Sequence, residues 1–276
     1  MIRHALITGA ASGIGAAFAR RLAGTAFVRR LAGAGHGLVL VDRRRDRLDA
    51  LAEELHQRHQ TTVEMVHADL TTHEGLRTVE DVIARLDTLE LVVNNAGFGT
   101  GALFALTDLP RQVAMVELNV IATLRLTRAA LPGMIARRRG MVVNVSSLAA
   151  WVPAAGSAVY SGTKAFVSNF TESLAVELRG SGVQVQVLCP GYTRTEFHAG
   201  DDFREFRART PGFLWMTPEQ VAAASLRALD RGGPLACIPG ALNRCIAFLS
   251  WLPGIRGIVR AVSGRLKNQG PGPQPR

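Results

Sequence analysis

Seven short runs of β-branched and aliphatic residues recur along this chain, at 5–8, 38–41, 63–68, 91–94, 141–145, 183–188 and 235–238. Longer stretches with helical spacing lie between them, at 13–32, 46–57, 73–86, 110–138, 157–179 and 218–229. Strands that are apolar throughout must be covered on both faces, which a parallel sheet sandwiched by helices achieves. The alternation therefore predicts an α/β fold: a single doubly wound (Rossmann) domain with a seven-stranded parallel sheet. Ligands of such sheets bind beyond the carboxyl ends of the strands, so the residues ending each run are the first to read for chemistry. A chain of 276 residues with 47% hydrophobic content can bury a core of that size. Residues 1–240 are expected to form this domain, and 241–276 a basic helical extension with a frayed tail.

Charge narrows the partners. The net charge is +10, yet Lys164 and Lys267 are the only lysines, and no acid follows Asp230. Seven cations fall in the last 46 residues, which marks a basic tail and not a nucleic-acid-binding face. Within it Ile255, Ile258, Val259, Val262 and Leu266 form one helical stripe. Such a stripe suits either peripheral contact with an anionic membrane through 241–276 or packing on the domain or a partner copy. Strand-like residues begin at Ile2, leaving no space for a leader, and Cys189, Cys237 and Cys245 are too scattered for a disulfide framework. The expected setting is the cytoplasm. The near repeat of residues 17–24 at 26–33 is offset by nine residues, which would turn the second copy's apolar face away, so a break is expected near Gly24 and Thr25.

The first chemical signal is the run Thr8-Gly9-Ala10-Ala11-Ser12-Gly13-Ile14-Gly15, directly after the first strand and opening the first helix. Glycines there allow a tight turn and let backbone N–H groups approach a pyrophosphate; ordinary strand-to-helix punctuation is the alternative. Asp42 ends the second strand, where an acid binds a ribose 2′-hydroxyl. Arg43, Arg44 and Arg45 follow, and an arginine there suits a 2′-phosphate. The carboxylate repels that phosphate, so the expectation leans to NAD over NADP. Asp69, with Leu70, suits an adenine contact or a turn cap.

Tyr160 and Lys164 are four residues apart and share a helix face, in a chain with only two tyrosines and two lysines. An ammonium beside a phenol lowers its pKa, which would let Tyr160 pass a proton to or from an alcohol oxygen. Ser147, just past the fifth strand, can donate a hydrogen bond to the same oxygen. His56 and His59 lie on a polar helix without further clustered ligands, and no metal is expected.

Together these residues resemble the short-chain dehydrogenase/reductase family in its classical branch, in the family's order from about residue 2 to 238. The resemblance implies that Thr8 to Gly15, with Asn95, Ala96, Gly97, Pro190, Gly191, Thr193 and Thr195, hold a nicotinamide dinucleotide. It implies that Ser147, Tyr160 and Lys164 are catalytic, and that Asn119 holds a water in a proton relay. The implied activity is an NAD(P)-dependent interconversion of a secondary alcohol and a ketone, in a homo-oligomer. A sugar-nucleotide epimerase or dehydratase, or a nucleotide-binding scaffold without turnover, is the alternative. Phe98, Trp151, Tyr192 and Trp215 would border the substrate with Ser147 and Tyr160. Phe213, Leu214 and Trp215 could form a lid, so an apolar, fatty-acyl or steroid-like substrate is expected.

Overall fold

The computed structural model describes residues 3–24, 36–152, 154–200 and 203–250. Strands β1 (Arg3–Thr8), β2 (His36–Asp42), β3 (Thr62–His67), β4 (Leu89–Asn94), β5 (Gly140–Val145), β6 (Val183–Leu188) and β7 (Ala236–Cys237) form one sheet. Their order is β3-β2-β1-β4-β5-β6-β7, with every neighbouring pair parallel. The fold class is therefore as expected, although β7 is only two residues long. The chain winds outward from β1 to β3, then returns to place β4 on β1's other side. That reversal opens a crevice beyond the ends of β1 and β4.

The helices are α1 (Gly13–Gly24), α2 (Arg45–His59), α3 (His73–Arg85), α4 (Leu109–Val116), α5 (Thr123–Ala136), α6 (Ala158–Glu177), α7 (Arg204–Arg209), α8 (Pro218–Asp230) and α9 (Ala241–Ser250). Strand pleating divides the core between two helical layers. Ala5 and Ile7 of β1 face Phe18, Leu22, Leu48, Leu55 and Leu226, from α1, α2 and α8. Leu6, between them, faces the opposite layer, which holds Leu76, Val79, Leu126, Met134 and Leu174 of α3, α5 and α6. All six residues of β4 are buried, as a central parallel strand requires.

Local signals place the element ends. Thr217 caps α8 by accepting from Gln220 N, the Gln220 side chain bonds back to Thr217 N, and Pro218 fills the first helical position. The segment read as one helix over 110–138 is interrupted by a π-helical turn, Glu117–Ala122, between α4 and α5. α1 is described as far as Gly24; Thr25, where with Gly24 a break was expected, and the second copy of the repeat lie outside the described residues. The apolar stripe from Ile255 to Leu266 also lies outside them. α9 packs inward through Asn243, Ala247 and Ser250. Among the described residues no helix is long and apolar enough to cross a membrane.

Candidate active site

The glycine turn takes a form that only its sequence permits. Gly9 and Gly13 have φ of +63° and +54°, a region side chains disfavour, and a Cβ on Gly15 would sit 2.2 Å from the Gly9 carbonyl oxygen. Thr8 ends β1 and ties this turn to the end of β4: its hydroxyl oxygen accepts from Asn95 N and Ala96 N, both at 3.0 Å. The Asn95 side-chain amide donates back to the carbonyls of Thr8 and Gly9, at 2.9 and 3.2 Å. The turn is thus a rigid cradle at the N-terminus of α1, where unpaired N–H groups and the helix dipole favour an anion. Ser12 and Ile14 lie in it.

Asp42 stands at the end of β2, buried, and both its oxygens are engaged. Oδ2 accepts from Ala11 N at 3.1 Å and Arg44 Nη2 at 3.2 Å; Oδ1 accepts from Arg44 N and Nε, both at 3.0 Å. Although burial pushes its pKa up, these Arg44 and Ala11 bonds outweigh that and hold it below the usual carboxylate range. Arg44 also donates to Ser12 Oγ at 2.8 Å and to Glu196 Oε2 at 2.8 Å, and Arg47 pairs with the other oxygen of Glu196. Arg43 is exposed, whereas Arg44 folds over Asp42. Asp69 accepts from Thr71 N and Oγ1 at 2.9 and 2.8 Å, ordering the turn before α3, while Leu70 is buried beneath.

Ser147, Tyr160, Lys164 and Asn119 converge beyond the ends of β4, β5 and β6. Ser147 follows β5 and begins a short turn, its Oγ accepting from Ala149 N at 3.1 Å. Tyr160 and Lys164 lie on the first turns of α6, with Nζ 5.8 Å from the phenol ring centre. Nζ donates to the Val145 carbonyl at 2.8 Å. Asn119 lies on the π-helical turn, where the widened spiral turns its side chain toward Phe98 and α6. It donates to Phe98 O at 3.0 Å and Thr163 Oγ1 at 3.1 Å, and accepts from Phe98 N at 3.2 Å. A Cβ on Gly97 would lie 2.8 Å from Asn119 Oδ1 and 3.4 Å from Lys164 Nζ, so a glycine is what lets these groups meet.

One electrostatic expectation is reversed. Burial pushes the Tyr160 phenol up to about 12, only partly opposed by the Ser147 side chain, and pushes the Lys164 ammonium down to about 8. Desolvation outweighs their attraction because Nζ faces the Val145 carbonyl and stands well off the phenol ring.

The loop after β6 closes over this group. Gly191 leaves space for Asn243 of α9, and Pro190 O accepts from Leu148 N at 3.0 Å. Thr193 bridges to Met216, and Thr195 lies over the glycine turn, such that a Cβ on Gly13 would meet its Cγ2 at 2.9 Å. The Phe197 ring packs 5.4 Å from Tyr160, and His198 sits among Tyr192, Phe197, Phe203 and Trp215. Burial in that company lowers the His198 pKa. Sequence reasoning named Arg44 and the segment around Glu196, Phe197 and His198 but not their pairing, because the Arg44–Glu196 contact spans 152 residues. Of the expected lid residues, Trp215 joins this cluster, whereas Phe213 is 78% exposed. Trp151, after the Ser147 turn, is half-buried. Among the described residues no three His, Cys, Asp or Glu side chains gather as a metal site.

Comparison with known proteins agrees with this geometry. Residues 3–202 match the short chain dehydrogenase family. Sulfoacetaldehyde reductase 2 of Chromohalobacter salexigens is 39% identical over 198 residues, 70% of this chain and 73% of that protein. A short-chain dehydrogenase from Sphingobium yanoikuyae, solved in complex with NADPH, superposes with a TM-score of 0.76 at 31% identity, covering 100% of this chain and 99% of that one. The bulky-bulky ketone specific alcohol dehydrogenase from Comamonas testosteroni gives 0.75 at 29% identity, covering 100% and 97%.

Proposed function

The chain belongs to the short-chain dehydrogenase family of oxidoreductases acting on CH–OH groups, and on that premise we propose that it interconverts a bulky apolar secondary alcohol and its ketone with NADP(H). The observation that carries the reading is the meeting of Ser147, Tyr160, Lys164 and Asn119 at the rim of the crevice whose other wall is the glycine turn.

The residues fit a dinucleotide. Gly9, Gly13 and Gly15 leave a side-chain-free turn that would cradle a pyrophosphate, and Lys164, beside Gly97, would hold ribose hydroxyls. When bound, the nicotinamide supplies or accepts the hydride. In reduction the Tyr160 hydroxyl gives its proton to the substrate's carbonyl oxygen; in oxidation Tyr160 receives it from the alcohol. Ser147 donates a hydrogen bond to that oxygen and stabilises the negative charge developing on it. Lys164 supplies positive potential, and Asn119 orients the Phe98 backbone and α6 around it. Burial raises the Tyr160 phenol, and a positive charge on Lys164 beside it would oppose that rise and ease proton transfer.

The cofactor assignment turns on Asp42. Its repulsion of a 2′-phosphate favoured NAD in the sequence reading, but Arg44 wraps both carboxylate oxygens and extends toward Ser12. That arrangement offsets the acid and presents a guanidinium to the phosphate, which supports NADP. The substrate class rests on the aromatic wall of Tyr192, Phe197, Phe203 and Trp215 around His198. A two-carbon sulfonate, as in the name of the Chromohalobacter relative, would leave that wall unfilled; a bulky ketone, as in the name of the Comamonas enzyme, would pack on it.

Tyr160→Phe tests the assignment. It should keep NADPH binding within about twofold, by fluorescence titration, and lose at least ~10²-fold in kcat on bulky ketones. Unchanged turnover would remove Tyr160 as proton carrier, and tighter binding of NADH than of NADPH would reverse the cofactor assignment.

A further inference from the structure

Glu196 is held between two arginines. One carboxylate oxygen meets Arg44 Nη1 at 2.8 Å and the other meets Arg47, so each oxygen faces its own guanidinium. Two arginines gripping one oxyanion is the geometry by which guanidinium groups take phosphate monoesters. Arg44 simultaneously joins Asp42 and Ser12, at the position of the adenosine ribose in the reading above. Glu196 makes a four-group cluster neutral: Asp42, Arg44, Arg47 and itself.

The flanking residues give this contact a reach beyond the adenosine end. Thr195 rests over Gly13, and the Phe197 ring covers Tyr160. Three consecutive side chains thus touch the pyrophosphate turn, the arginine pair and the catalytic phenol. We propose that Glu196 is a specificity-determining residue, an in-chain occupant of a 2′-phosphate site formed by Arg44 and Arg47, which that phosphate displaces. The proposal rests on the dinucleotide reading.

The chemistry favours the exchange. A phosphate monoester carries a charge of about −1.5 to −2 near neutral pH and three acceptor oxygens, against a single charge and two oxygens for the carboxylate. Glu196 is half exposed and its ion pairs face water, so its hold is weak. A ribose without the 2′-phosphate has no charge with which to displace it, and leaves Glu196 on the arginines.

The test compares adenosine 2′,5′-bisphosphate with adenosine 5′-monophosphate, by calorimetry, on the full chain and on Glu196→Gln. The variant should bind the bisphosphate roughly three- to tenfold more tightly and the monophosphate unchanged. Arg47→Ala should weaken the bisphosphate alone. Equal bisphosphate affinity in both chains, or an equal gain for both nucleotides, overturns the role of Glu196 while leaving the dinucleotide reading intact. If the unmodified chain binds neither these nucleotides nor NADPH nor NADH, both fall together.

Discussion

Lys164 is the residue on which burial acts most consequentially. Its ammonium is held near 8 in the folded chain against 10.5 for the free side chain. Between those values the unfolded chain binds a proton that the folded chain does not, so this group makes stability rise with pH. Tyr160 beside it and Cys189 below are raised to about 12, and each acts in the opposite sense above its ordinary pKa. Subtracting a variant isolates the lysine: the urea midpoint of the unmodified chain relative to Lys164→Met should climb between pH 8 and about 10, and a flat difference would mean that Lys164 is not desolvated. Tyr160, Lys164, Ser147 and Asp42 were legible because their chemistry is carried by local spacing or by a strand end. What their surroundings do to them was not. The phenol's rise and Arg44's embrace of Asp42 arise from burial and from rotamers that no spacing encodes. Glu196 and Phe197 draw their meaning from partners on other elements.

At the scale of elements, the period of the apolar pattern was enough to place all seven strands, since a doubly buried strand leaves a contiguous run. The π-helical turn was invisible because one extra residue in a spiral barely disturbs apolar spacing over the flanking helices. Equally unread was a polar tie in the core, directly beneath the site. Asn94 and Asn144 are register partners on β4 and β5, and the Asn94 amide donates to Asn144 Oδ1 at 2.8 Å and Thr127 Oγ1 at 3.0 Å. The Asn144 amide in turn donates to Thr171 Oγ1 of α6 at 3.0 Å. Single asparagines within apolar runs read as interruptions, yet here they join both central strands to α5 and α6, which carries Tyr160 and Lys164. Asn144→Leu leaves the Asn94 amide short of an acceptor in the core and should cost about 2–3 kcal/mol in urea unfolding. The double variant Asn94→Leu with Asn144→Leu should cost less than the sum of the single changes, because a polar pair removed whole leaves no orphan. Strict additivity would show that the pair is not coupled.

The whole molecule sets an apolar face against a strongly positive charge. Phe104 and Leu106, on the turn Phe104–Leu106, are 56% and 76% exposed, and Leu109, Val113 and Val116 of α4 are exposed beside them in sequence. The three α4 residues recur at spacings of four and three, so they share one helical stripe. A stripe of this kind meeting its own copy across a two-fold axis buries both at once, in keeping with the homo-oligomer that the family resemblance implies. Opposing it is the net charge of +10, seven units of which lie after Asp230. Repulsion between copies at that charge is screened within ~10 Å at 0.1 M salt, whereas apolar burial is not. Association should therefore strengthen as salt rises from 10 to 300 mM, read as mass by light scattering after size exclusion. Val113→Lys, which places a charge in the middle of the stripe, should shift the mass toward a single chain with its circular dichroism unchanged. α4 leads straight into the π-helical turn that carries Asn119, so the dissociated variant should also lose turnover while still binding NADPH. A mass that neither salt nor Val113→Lys changes would place the contact between copies on some other face.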